Sequence, residues 1–182
     1  MNSIVRSGLD EKNLKLFYKD LGKFICKKSL KCKALLQKNY GDVNDCTLTS
    51  MACIFGEEYY DKIEKTAIKY GHNTRNGTNP FTVKQIMTSL GFNGTAYSSY
   101  GKNIGYNYTK IKSLIDNNIL IILNITNDGR NYYKNHSVTI IGYEEYVNHK
   151  FLLVYDNWCE NVCYIDYDKL CVVSSINWFK FR

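Results

Sequence analysis

Cys46, His136 and Asp156 are the residues of this chain best suited to acyl transfer. A cysteine attacks as its thiolate, so it needs a base to take the thiol proton and a third group to orient that base. Cys46 opens an apolar run of helical character, Cys46-Thr47-Leu48-Thr49-Ser50-Met51-Ala52-Cys53-Ile54-Phe55. His136 opens a strand-like run, His136-Ser137-Val138-Thr139-Ile140-Ile141-Gly142-Tyr143. Asp156 ends another, Phe151-Leu152-Leu153-Val154-Tyr155-Asp156-Asn157-Trp158. Each also has a plain structural reading: an inert buried thiol, a satisfied core histidine, a turn at a strand end. The three together are what points to chemistry.

The elements that must position them follow from local pattern. If Asn44 or Asp45 caps the helix, Cys46 sits in its first turn. Free N–H groups and the positive helix end then favour a thiolate and can receive an oxyanion. Cys53, two turns later among apolar residues, reads as structural. The base is chosen from three histidines. His72 lies in a glycine-rich loop and His149 in a polar turn, so both are expected at the surface. If the strands at 136–143 and 151–155 pair as a hairpin, the start of one lies beside the end of the other. That makes Asp156 the expected orienter of His136, with Asn157 as the alternative. Gln37 is the first candidate for an oxyanion donor, with Asn39 and Asn44 as alternatives.

Apolar spacing predicts a helix over about 9–30 and an extended run at 34–37. Further helices are expected over 57–69, ending at Gly71, over 82–90, closed by Gly91, and over 108–116. The period then changes to that of strands, at 119–123, 136–143, 151–155, 162–165 and 171–181. Helices followed by strands imply one α+β domain over 1–182, helical to about 118 and β from about 119, with the helices on one side of an antiparallel sheet.

The 182 residues suffice for one packed core, and 45% of them are apolar or aromatic, which excludes a disordered chain. No apolar run approaches a membrane span. The segment Met1-Asn2-Ser3-Ile4-Val5-Arg6-Ser7-Gly8 is no secretory signal, so a cytoplasmic location is expected as the chain stands, and a secreted one if a signal has been removed. The net charge of +7 is spread over scattered lysines with little arginine, which argues against nucleic-acid binding. Only 23–33 is dense in lysine, and it reads as a solvated face. The seven cysteines are irregularly spaced, so no disulfide framework is expected. Cys159, Cys163 and Cys171 lack a second close pair or a nearby histidine to complete a four-ligand set, so neither a metal nor a cofactor is expected.

The chain resembles the bacteriocin-leader (double-glycine) peptidase-like branch of the papain-like cysteine peptidases. The resemblance lies in Gln37, in Asn44-Asp45-Cys46 with its small-residue helix, in the run 136–143 ending Gly142-Tyr143, and in Val154-Tyr155-Asp156-Asn157-Trp158. It implies a bacterial thiol protease of papain-like fold, with the active site between a helical and a β half. By resemblance Cys46 is the nucleophile, His136 the base, Asp156 its orienter and Gln37 an oxyanion-hole donor. The chain departs from the family's pattern in Thr47 for glycine, in Asn157 for proline, and in a longer stretch between Gln37 and Cys46. The implied partner is a peptide or protein substrate. A deamidase or acyltransferase would use the same triad with another acceptor, and a peptide-binding module could keep the fold without turnover.

Overall fold

The computed structural model describes residues 9–37, 44–127 and 133–182. Along the chain run α1 (Glu11–Phe17), β1 (Phe24–Ser29), α2 (Cys46–Phe55), α3 (Tyr60–Lys69), α4 (Val83–Ser89), β2 (Gly94–Tyr100), α5 (Tyr108–Asp116), β3 (Ile121–Asn127), β4 (Lys134–Tyr146), β5 (Lys150–Tyr155), β6 (Cys163–Asp166) and β7 (Ser174–Phe181). The class is α+β. The seven-stranded sheet has the order β2-β7-β3-β4-β5-β6, with β1 joined to β4, and its described pairings are antiparallel. Among the described residues, no helix is long and apolar enough to cross a membrane.

The sheet is built around β4. β5 pairs with it from Thr139 to Glu145, which occupies one edge of the strand. The other edge is shared: β3 takes Lys134 to Ile140, and β1 takes Gly142 to Tyr146. Both faces of the sheet are buried. Ile121, Leu123, Val138 and Ile140 pack with Ile111 and Ile115 of α5. Ile122 points the other way, into Leu48, Met51, Ile63 and Ile86 of α2, α3 and α4. Beside that layer, Leu14 of α1 packs on Ile141 and Leu153. So α5 lies on the face opposite the other helices, where one-sided packing was expected; Ile111 and Ile115 stand at helical spacing and seek their own apolar surface.

α2 is buried almost all round, with eight of its ten residues inside. It lies between the sheet and α3, and Leu48 and Met51 are fully buried. Each such side chain contributes about 1.5–3 kcal/mol by leaving water. This packing fixes where the first residue of the helix, Cys46, can stand.

Two strands lie in the part read from sequence as helical. The expected helix over 9–30 stops at Phe17, and Gly22 has a left-handed φ of 72°. Leu16 and Phe17, two of the apolar residues in that span, are 72% and 68% exposed. Residues 24–29 instead pair with β4, where Lys27 stands opposite Glu144 at 2.9 Å. β2 is an edge strand whose one buried residue is Ala96, so it carries little apolar alternation. It is held by pairing with β7, where the Tyr97 and Trp178 rings stack at 5.3 Å. The remaining helices and strands lie within a few residues of expectation, and 108–116 coincides with α5.

Gly142 is where β1 closes on β4. A Cβ there would lie 2.2 Å from the Lys28 carbonyl oxygen and 2.9 Å from the Ser29 Cα, and backbone cannot swing away as a side chain can. Gly142→Ala is expected to lower stability by about 1–3 kcal/mol in urea unfolding, the usual cost of overpacking. An unchanged midpoint would mean that β1 is not held against β4 in this way.

Candidate functional site

Cys46 is the first residue of α2. Asp45 occupies the N-cap position, as one reading of the sequence expected, yet its side chain makes no capping bond. The buried carboxylate instead accepts from Gln37 Nε2 at 2.8 Å, Tyr60 Oη at 2.6 Å and Thr49 Oγ1 at 3.4 Å. The first turn of α2 is therefore left without a side-chain cap. Burial and then the bond to Asp45 raise the Tyr60 pKa, so Tyr60 remains a donor.

His136 meets Cys46 from the start of β4. Burial pushes the Cys46 thiol up, but the hydrogen bond and charge of His136, together with bonds to Ser137 backbone and side chain, bring it below its ordinary value. The ring's Nε2–H donates to the main-chain carbonyl of Asp156 at 2.7 Å. A carbonyl can only accept, so this bond places a proton on Nε2 and leaves Nδ1 to deal with the thiol. The imidazole stacks on Trp158 at 4.2 Å and on Tyr133 at 5.6 Å.

The hairpin brings position 156 to the histidine, and the contact is made by backbone. The Asp156 carboxylate turns away to organise its own loop. It accepts from the Trp158 and Cys159 N–H groups at 2.9 and 3.1 Å, from Tyr133 Oη at 3.0 Å and from the Cys163 thiol at 3.4 Å. Asn157, the alternative orienter, is tied elsewhere. Its buried Nδ2 lies 3.0 Å from the Cys46 carbonyl, 2.9 Å from Ser50 Oγ and 3.0 Å from the Ser137 carbonyl.

Gln37 is drawn into the same framework. Besides donating to Asp45, its Oε1 accepts from Trp158 Nε1 at 2.8 Å and its backbone N–H donates to the Asn157 carbonyl at 2.9 Å. Asn44 donates to the Thr74 and Arg75 carbonyls, which ties the neighbouring loop to the start of α2. Asn39 lies outside the described residues. His72, expected at the surface, is buried against Thr78 at 2.9 Å, and burial lowers its pKa. His149 packs edge-on against Tyr18 at 4.7 Å, far along the sheet from this site. All seven cysteines are free thiols. Burial raises Cys26, Cys53, Cys159 and Cys163, and pushes Cys32 up to about 12.

Cys46 and His136 line a groove of about 850 Å³. Thr47 Oγ1, Ser137 Oγ, the Asn124 amide and Ser175 Oγ form a chain of bonds of 2.8, 2.8 and 3.0 Å along it. This gives the Thr47 hydroxyl a partner where the resembling family has glycine. The groove is also lined by Phe81, Tyr100, Ile104, Val172 and Val173, exposed apolar side chains. Sequence reasoning missed Ser137, Trp158 and Tyr133 as site residues. The adjacency of Ser137 to His136 and of Trp158 to Asp156 was a usable signal; the role of Tyr133 depends on tertiary contact alone.

No protein-family model and no curated protein matches the chain. A solved structure of a double-glycine-motif protease from an AMS/PCAT transporter, in complex with the leader peptide, is similar at 15% identity and a TM-score of 0.48. The similarity covers 88% of this chain and 99% of that one.

The geometry predicts an order of thiol reactivity. Below the ordinary thiol pKa, Cys46 keeps more of its thiolate than the five thiols raised by burial. With limiting iodoacetamide at about pH 6, peptide mapping should find the label on Cys46 first. His136→Ala removes the largest lowering influence and leaves the burial that raises the thiol. Labelling at that pH should then fall by roughly tenfold or more, since one pKa unit is about tenfold in thiolate. Faster labelling of Cys53 or Cys163 than of Cys46 would contradict the arrangement.

A second expectation concerns Asn157. Asn157→Ala removes the donor that serves two carbonyls and Ser50, so buried acceptors lose their partner, at about 1–3 kcal/mol in denaturant unfolding. A loss within a few tenths of a kcal/mol would show that the amide does not tie α2 to β4.

Proposed function

We propose that the protein is a cysteine peptidase of the papain-like type, with Cys46 as nucleophile and His136 as base. The observation that carries this reading is a thiol at an uncapped helix start, lowered in pKa by the neighbouring histidine, with both on the wall of a groove of about 850 Å³. The resemblance of the three motifs to double-glycine peptidases agrees with it. An extended peptide with apolar side chains suits the groove's apolar wall.

In this mechanism His136 takes the Cys46 proton and the sulfur attacks the scissile carbonyl carbon. The carbonyl oxygen becomes an oxyanion, received by the first-turn N–H groups of α2 and the second amide N–H of Gln37. The imidazolium returns its proton to the departing amine, leaving a thioester on Cys46. His136 then takes a proton from water, whose oxygen attacks the thioester; the acid product leaves and the thiol re-forms. Through both steps the Asp156 carbonyl and the Trp158 face hold the ring.

The test is a peptide library read by mass spectrometry. Wild type should give new peptide termini and a trapped acyl adduct on Cys46. Cys46→Ala should give neither while keeping the fold, since a thiol at a helix start contributes little packing. His136→Ala should abolish turnover. Asp156→Asn should cost roughly tenfold or less, against the ~10⁴-fold lost when a carboxylate that bonds the ring itself is replaced in a serine triad. The main-chain carbonyl that holds His136 survives that substitution. Ammonia release or transfer to an amine in place of water would make the enzyme a deamidase or acyltransferase. Equal behaviour of wild type and Cys46→Ala on every bound peptide would favour a binding module.

A further inference from the structure

The loop between β5 and β6 gathers a second set of reactive groups, one that acyl transfer does not use. The Asp156 carboxylate, Cys159 Sγ and Cys163 Sγ all lie within 4.8 Å of one another. The two sulfurs are 3.8 Å apart, and Cys163 Sγ is 3.4 Å from Asp156 Oδ2. The Asn161 carbonyl oxygen lies 3.7 Å from Cys159 Sγ and 3.8 Å from Cys163 Sγ.

The four distances, one sulfur–sulfur and three sulfur–oxygen, are close to the edges of a tetrahedron around a single cation. Around a zinc-type cation with metal–sulfur bonds of about 2.3 Å and metal–oxygen bonds of about 2.0 Å, sulfur–sulfur edges are about 3.8 Å and sulfur–oxygen edges about 3.5 Å. The donor types fit as well: two thiolates select a borderline-soft cation over magnesium or calcium. We propose that Asp156, Cys159 and Cys163, with the Asn161 carbonyl, bind a divalent cation of the zinc class.

Charge favours the exchange. Binding releases two thiol protons and brings in one dication, so the net charge of the cluster is unchanged and no new charge is buried. Asp156 and Cys163 are buried, while Cys159 is half-buried and gives access from solvent. The Asp156 carboxylate already holds Cys159 N–H, so the loop need not fold anew. Burial and Asp156 together hold the Cys163 thiol protonated, so uptake must weaken as pH falls, by two protons per metal. The ligands bracket Asn157 and Trp158, and Asp156 itself holds His136. A bound cation would therefore lock the segment that orients the imidazole.

The spacing of Cys159 and Cys163 was visible in the sequence, but a four-ligand set was sought among cysteines and histidines. The missing ligands are oxygens, one from a strand end and one from the backbone.

The test does not depend on the peptidase reading. Full-length Cys46→Ala protein removes the Cys46–His136 pair as a competing site. Reduced with a phosphine and freed of metal, it is titrated with Co²⁺. A thiolate-to-cobalt charge-transfer band with intense tetrahedral d–d bands should saturate at one equivalent and be abolished by Zn²⁺. The double variant Cys46→Ala/Cys159→Ser changes a half-buried residue, and circular dichroism checks its fold. It should lose the charge-transfer intensity and the rise in melting temperature that Zn²⁺ gives the single variant. No band in Cys46→Ala, or the same band and the same Zn²⁺-dependent rise in the double variant, would overturn the site.

Discussion

Asn157 sits fully buried with a left-handed φ of 65°, and its amide nitrogen reaches the first carbonyl of α2, a serine one turn on, and the backbone of β4. A helix start and a strand start are thereby held together by one side chain. The rest of the site hangs on that junction. It sets Cys46 beside His136 and Ser137, whose influence brings the thiol below its ordinary pKa. Neighbouring residues 156 and 158 then hold the imidazole by a carbonyl and by a ring face. Three consecutive residues thus carry positioning contacts, which explains why the segment after β5 is bonded so densely.

Asp45 is the second constraint. A buried carboxylate is costly unless its oxygens are bonded, and here Gln37, Thr49 and Tyr60 bond them. The bonds draw the carboxylate away from the cap position, where it would have bonded the first-turn N–H groups of α2. The helix loses the roughly 1 kcal/mol that a side-chain cap contributes. Burial of Leu48, Met51 and their neighbours offsets this loss, so a free helix start is tolerated. Gln37 links this network to Trp158 and so to the histidine.

Thr47 shows how one departure from the resembling motif is absorbed. A hydroxyl facing a buried strand would be costly alone, but Ser137 meets it and passes the bonding on to Asn124 and Ser175. The result is a polar line beside Cys46 in a groove that also carries exposed apolar side chains.

Several of these features depend on local order, and the sequence by itself determined them. A polar loop followed by an apolar helical run places Cys46 at a helix start, and α5 follows from its spacing of Tyr108, Ile111 and Ile115. The two strands and short turn between His136 and Asp156 form a hairpin whose geometry makes their ends meet. Only the tertiary structure decided the rest. β1 and β2 are too polar to announce themselves, because their stability comes from pairing with β4 and β7, far along the chain. That Asp156 serves the ring by its carbonyl was also hidden, since every residue type carries a carbonyl. The carboxylate's release to Tyr133, Cys159 and Cys163 follows from that choice. Local pattern encodes periodicity and turns; which atom of a residue meets which partner is set by packing among segments that the sequence separates.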